Sequence, residues 1–468
     1  MRTILTAIVV AAMSALTVAS IVTLPFYSFA TGDPALILYT AGLWALFFVG
    51  FWLLRRVPVK AAVILIVVGS VAIGGAALTG PPNTSTDSAR YAWDGIVQDA
   101  GISPYKYVPT SPHLANLRPD WLFPAPTIAA DGSARCEGSR IQTSHEPHTS
   151  TVVCTALNRG SYPTIYPPSS ELLFAGIRII TGPDAQYWPM QVIGLLLSLG
   201  ILVMLLFALR RRGLDPRWAA LWGWCPLVAT EAITNSHVDT LGALLLLAAT
   251  LLVSSGKPWR GGLALGAAIA AKLIPVIGAP ALLRRQPWKI VLASVGAFLV
   301  LYVPYLVASG PRVLGYLPRY LGEEGFDDGS RFALITPIAA GKAAIVVALV
   351  ILLIVAVLVW RKTDPVNPWL GQVVMIGVTL LVVSPRYPWY ALLLVPMIAM
   401  SGRWEWLVVP LALTARGLDP HVSVLRSAEV IALIVIIIVS IVRSGPGWHR
   451  RALRELAHPL SASAAKSP

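Results

Sequence analysis

Charge is scarce in this sequence. Only 12% of its 468 residues are Asp, Glu, Lys or Arg, against 56% hydrophobic, and that is about half the charged fraction of a soluble domain. A chain so short of charge cannot cover a conventional water-facing surface. Cysteine is scarce as well, with three in all. No phosphate-binding glycine loop, nucleophile elbow or firmly spaced metal-ligand cluster is present, which argues against nucleotide-driven and metal-centred chemistry. No internal repeat is evident, and that weighs against an inverted-repeat transporter. The formal charge of +14 does not imply nucleic acid, because the basic residues are not interleaved with base-stacking aromatics on one surface.

What fills the chain instead is a series of apolar runs of about 17 to 22 residues, each long enough to span a bilayer. The basic residues sit between them: Arg55, Arg56 and Lys60; Arg210, Arg211 and Arg212; Lys257 and Arg260; Arg284, Arg285 and Lys289; Arg361 and Lys362; Arg443, Arg450, Arg451 and Arg454. The positive-inside rule makes those flanks cytoplasmic. The reading is an all-α polytopic plasma-membrane protein of about twelve crossings. It divides into N-terminal helices (1–79), a large exoplasmic loop (80–188), further helices (189–309), a second exoplasmic loop (310–336), C-terminal helices (337–443) and a cytoplasmic tail (444–468). That tail is basic and rich in Ser, Ala and Pro, a composition of disorder. Ser28-Phe29-Ala30 has the small-x-small form of a signal-peptidase site, but the apolar run before it exceeds a signal sequence and reads as a retained helix. Between 261 and 283 the basic residues on both flanks favour two short helices that enter and return, broken around Pro275 and Gly278. Such backbone is tolerated inside a membrane protein when buried or lining a cavity.

Within the large loop, residues 83–107 (NTSTDSARYAWDGIVQDAGISPYKY) are polar, aromatic and acidic. A helix opening at Asp87 puts Asp87, Arg90, Tyr91 and Asp94 at i, i+3, i+4 and i+7, on one face. A carboxylate at the outer mouth of a transmembrane helix can serve a lipid-borne substrate as general base. The competing reading makes Thr86 or Asp87 a helix cap and pairs Arg90 with Asp94 or solvent. Cys136 and Cys154 share this loop, and a disulfide between them in an oxidising compartment stabilises it by about 3 kcal/mol. Cys225, in an apolar run, reads as a small buried hydrophobe. Further on, Pro167-Pro168 opens an amphipathic helix over 169–181 with Glu171 in its first turn, lying in the outer interface or packed on the membrane domain.

Three later stretches also carry chemistry. Glu231 with TNSHVDT sets His237 and Asp239 near the outer boundary, where ionisable groups face a cavity or a partner. The alternative there is a Glu231–His237 pair closing a turn. Lys272 snorkels or neutralises an anion such as a lipid phosphate. Arg331 lies in the second loop, and Arg386 and Tyr390 lie in the outer turn SPRYPWY, where an arginine among aromatics suits a sugar phosphate as well as an interfacial belt. With the exception of Lys272, the polar chemistry gathers on the outer side. A transporter or channel places ionisable groups along a path through mid-depth. An enzyme acting on a membrane-anchored substrate does not need that path.

At these residues the sequence resembles the polyprenyl-phosphate-dependent GT-C glycosyltransferases, and within them the actinobacterial mannosyltransferases of glycosyltransferase family 87. The likeness runs from about residue 83 to 400. It covers the aspartate after an early transmembrane helix (STDSARYAWDG), the TYPP-like element (TIYPPSSELLF), the AAKLIP segment and the late SPRYPWY turn. The resemblance implies an inverting transfer of a sugar, mannose first, from a polyprenyl phosphate to a glycolipid or cell-envelope glycan at the exoplasmic face. Lipid is then the surrounding partner and no cofactor is needed. It maps the general base onto Asp87. Arg386, Lys272 and Arg331 are the candidates to hold the donor phosphate. Arg90, Tyr91, Asp94, Tyr166, Glu171, His237, Asp239 and Tyr390 are the candidates for sugar and acceptor. Two features depart from the family: two extra spans precede the catalytic loop, and Arg386 and Tyr390 stand where some relatives have histidines. The alternatives are an arabinosyl or other pentosyl transferase of the same fold, and a polyprenyl-lipid flippase.

Overall fold

The computed structural model describes residues 1–26, 33–444 and 455–456. The Ser28-Phe29-Ala30 motif and most of the tail beyond 444 lie outside the described residues. Seven described helices are long and apolar enough to cross a membrane by length and composition. They are Arg2–Thr23 (α1), Pro34–Leu54 (α2), Val59–Ala76 (α3), Trp188–Arg211, Pro287–Glu323, Lys342–Lys362 and Val422–Arg443. An eighth appears if Val228–Thr234 and Asp239–Ser254, which meet at 109°, count as one span. The expectation of about twelve crossings also counts shorter apolar helices such as Trp369–Val383 and Pro388–Ser401. Helices dominate throughout, as the sparse charge and long apolar runs require: only helices satisfy their own backbone without water.

Local sequence sets the helix ends. α2 opens with Pro34 at its first position, and Asp33 caps it by accepting from the Ala35 N–H at 2.8 Å, the usual use of proline and aspartate at a helix start. The helix expected from Asp87 is present as Asp87–Asp99 (α4). The amphipathic helix is Pro168–Thr181 (α5), with proline at N1 and Gly182 at φ 76° ending it. Trp188–Arg211 (α6) follows. Between α4 and α5 the chain forms two small antiparallel hairpins, Thr127–Ile128 (β1) with Ala134–Arg135 (β2) and Gln142–His145 (β3) with Val152–Thr155 (β4). The Cys136–Cys154 disulfide, expected from the sequence, joins the two hairpins.

Hydrogen bonds show how the 257–285 segment runs. At one end of the bundle Arg212 reaches Val366 O and Ser254 Oγ, Arg217 reaches Val57 O, and Arg284 reaches Thr363 O. Ser254 and Arg284 flank this segment, so its two ends lie together. Its middle reaches the opposite end, where Ser169 and Ser170 of α5 donate to the carbonyls of Ala267 and Ala271 at 3.1 and 2.6 Å. The chain therefore enters as the helix Pro258–Ala271 and returns as the 3-10 stretch Ile274–Leu282. One detail differs from the sequence reading. The break falls at Lys272, whose backbone is extended (φ −154°, ψ 141°), while Pro275 and Gly278 sit inside the returning turn. Prolines near the start of a helical turn cost little, since the first N–H groups have no partner within the helix.

Candidate active site

Two interruptions of helix bring the polar residues together. The first is the 109° bend between Val228–Thr234 and Asp239–Ser254. Ser236 holds a left-handed backbone there (φ 52°), and the His237 N–H closes onto Glu231 O at 2.8 Å. Asn235 ties this bend to the start of the large loop. Its side chain accepts from Thr84 N at 3.1 Å and donates to Thr84 Oγ1 at 2.6 Å, three residues before Asp87. The second interruption is the extended Lys272, which sends its ammonium to Asp239 Oδ2 at 2.5 Å and over the Tyr390 ring at 4.9 Å.

α4 and α5 cross closely because Gly95 has no side chain. A Cβ built there would lie 2.4 Å from the Phe174 carbonyl oxygen, so any other residue has to push the helices apart. This crossing buries one side of α4. Tyr91 stacks on Phe174 with centroids 4.5 Å apart. Asp94 faces Glu171, whose carboxylate accepts from Thr164 Oγ1 at 2.7 Å and Gln98 Nε2 at 2.8 Å. Burial, ahead of the neighbouring charges, raises the Asp94 carboxyl to about 6 and drives Glu171 well above its usual range. Arg90 is buried too, and its guanidinium donates to the carbonyls of Tyr162 and Pro163 at 2.6 and 3.2 Å, fixing the segment that leads into Tyr166.

Asp87, at the free end of α4, faces a cavity of about 660 Å³. Its Oδ1 accepts from Asn158 Nδ2 at 2.7 Å, and its Oδ2 lies 3.6 Å from His237 Nδ1. One part of the cavity wall is polar and aromatic: Asp87, Arg90, Asn158, Arg159, Tyr166, Lys272, Tyr316, Tyr320, Arg331, Tyr387, Trp389 and Tyr390. The other is apolar, with Ile274, Ile277, Leu317, Leu321, Phe326, Leu380 and Val383. A carboxylate, several cations and a set of apolar side chains thus line one cavity. That arrangement fits an amphiphile with an anionic head.

The sequence candidates divide by position. Asp87, Arg90, Tyr166, Lys272, Arg331 and Tyr390 line the cavity. Tyr91, Asp94 and Glu171 lie in the crossing of α4 with α5 rather than in the cavity wall. His237 and Asp239 stand behind the wall: His237 stacks on Trp389 at 3.8 Å, and Asp239 holds Lys272. Arg331 is buried and bonded to Glu324. Arg386 is half exposed, 3.7 Å from the same carboxylate and outside the cavity wall. Sequence reasoning missed Asn158, Arg159, Tyr316, Tyr320, Trp389 and Glu324. Arg159 bonds Tyr316 Oη at 3.2 Å and Glu323 at 3.4 Å. The adjacent Asn-Arg pair just before TIYPP was the one available signal for two of these.

The sequence model of glycosyltransferase family 87 matches residues 164–385, a stretch that takes in Tyr166, Lys272 and Arg331 and begins after Asp87. One curated relative is the polyprenol-phosphate-mannose-dependent alpha-(1-2)-phosphatidylinositol pentamannoside mannosyltransferase of Mycolicibacterium smegmatis. It is 24% identical over 283 residues, covering 58% of this chain and 64% of the relative. The match therefore spans a little under two thirds of that relative's length. No solved structure matches the chain.

Proposed function

We propose that this chain, which resembles glycosyltransferase family 87, is an inverting glycosyltransferase using a polyprenyl-phosphate-linked sugar, mannose first, and a glycolipid or envelope-glycan acceptor. The observation that carries the reading is that Asp87 and Lys272 line one cavity together with apolar side chains such as Ile274, Ile277, Leu380 and Val383. The lipid chain lies along Ile274, Ile277, Leu380 and Val383, and its phosphate meets Lys272, with Arg159 and the buried Arg331 also in the cavity wall. Asp87 takes the proton from the acceptor hydroxyl as its oxygen attacks the anomeric carbon. The bond from that carbon to the phosphate oxygen breaks on the opposite face, and the electron pair leaves on the lipid phosphate. General-base assistance and cation stabilisation of the leaving group are the terms this requires. Arg212, Arg217 and Arg284 meet at the bundle end away from the α5 contact, which by the positive-inside rule supports chemistry at the exoplasmic face of a plasma membrane and a cytoplasmic C-terminus.

The test is sugar transfer by purified protein in nanodiscs, with polyprenyl-phosphate-mannose, a panel of glycolipid acceptors and Asp87→Asn beside wild type. Turnover in the variant is expected to fall by about 10²- to 10⁴-fold, with donor binding kept. Wild-type turnover in Asp87→Asn refutes this mechanism. Transfer from an arabinosyl donor alone moves the sugar class and leaves the mechanism standing.

A further inference from the structure

Asp87, His237 and Glu231 stand in a row. His237 Nδ1 lies 3.6 Å from Asp87 Oδ2, and His237 Nε2 lies 3.2 Å from Glu231 Oε2. The imidazole is fully buried, and neither ring nitrogen has an aligned hydrogen bond. An unpartnered buried imidazole is costly. Its position is nevertheless fixed by stacking and by its backbone. Trp389 stacks on its face at 3.8 Å with planes 22° apart, and Tyr387 stacks on Trp389 at 4.4 Å. The backbone N–H of His237 is tied to Glu231 O. The other charged pair packed beside the ring, Lys272 with Asp239, is already satisfied within itself.

We infer that His237 is a positioning residue for glycosyl transfer, holding the free oxygen of Asp87 toward the acceptor hydroxyl, with Glu231 setting the orientation of the ring from behind. The inference rests on Asp87 being the base. Asn158 grips one carboxylate oxygen at 2.7 Å, and a carboxylate held at only one oxygen can still swing about that contact. The imidazole supplies the second contact once the cavity closes on substrate, since catalytic hydrogen bonds often run long in an empty site and tighten when it fills. The Glu231 carboxyl group lies 3.2 Å from the far ring nitrogen, where it orients the ring so that the near nitrogen faces Asp87. Trp389 lines the cavity, stacks on the imidazole and keeps water from it, so a sugar packed against Trp389 presses on the same ring.

The experiment compares wild type with His237→Gln, Glu231→Gln and Glu231→Leu in nanodiscs. It reads kcat and donor KM with polyprenyl-phosphate-mannose, and thermal unfolding alongside. His237→Gln is expected to lower kcat by about ten- to a hundredfold, with donor KM within about twofold. Glu231→Gln can still offer the ring nitrogen a hydrogen bond and is expected to keep most of the turnover, whereas Glu231→Leu loses about as much as His237→Gln. Wild-type kcat in Glu231→Leu or His237→Gln overturns the inference, as does a loss confined to donor KM. Should His237→Gln fail to fold, the two Glu231 variants decide the matter by themselves. If Asp87→Asn turns over normally, the catalytic reading itself falls. If Asp87→Asn is inactive while the His237 and Glu231 variants match wild type, only the positioning role falls.

Discussion

Asp87 and Asn158 lie 71 residues apart in sequence and 2.7 Å apart in space. The hydrogen bond between them joins the first turn of α4 to the segment that leaves β4, four residues after Cys154 and just before the TIYPP element. The disulfide lobe is therefore structurally coupled to the proposed base.

Asn158→Leu removes the amide donor held to Asp87 Oδ1. A hydrogen bond to a charged group contributes about 1.5–3 kcal/mol, so kcat should drop by about tenfold or more, with the fold intact. Steady-state transfer kinetics together with a thermal melt check this. An unchanged kcat would detach Asn158 from the chemistry.

Lys272 and Asp239 form a largely buried pair at 2.5 Å. Lys272→Met leaves Asp239 buried and unpaired, which typically costs about 3–5 kcal/mol, and it also removes a cation from the cavity. Lys272→Met combined with Asp239→Asn should recover most of the melting temperature and none of the turnover. Recovery of both would assign Lys272 a purely structural part.

The Asp94–Glu171 contact predicts how stability depends on pH. Burial raises both carboxyls, Asp94 to about 6 and Glu171 well above its ordinary value. The folded chain thus keeps protons that the unfolded chain gives up. Their contribution to stability is complete below the unfolded values near 3.8 and 4.5, and it is lost progressively as pH rises through about 6 and beyond. Melting temperature should fall from pH 5 to pH 8. Asp94→Asn, which offers Glu171 an amide donor at every pH, should flatten that fall. A wild-type melting temperature that rises over the same range would contradict the assignment.

Much of this protein is determined locally. A helix starting at Asp87, one opening at Pro168, the membrane helices and the partner of Cys136 all follow from periodicity, proline placement and cysteine count, because each depends on neighbours within a turn or a loop. The enter-and-return course of 257–285 was legible from charge at both flanks, although its break fell at Lys272. Tertiary structure decided which polar residues meet. The i, i+3, i+4, i+7 spacing put Asp87, Arg90, Tyr91 and Asp94 on one face, but Gly95 lets α5 cross α4 so closely that Tyr91 and Asp94 are sealed into the crossing, and only the free end of the face opens on the cavity. Asn158, Trp389 and Tyr320 reach that cavity from segments far apart in the chain. No local pattern encodes such meetings: a side chain's neighbours across a bundle are set by where helices break and how closely they pack, and both depend on the whole folded chain.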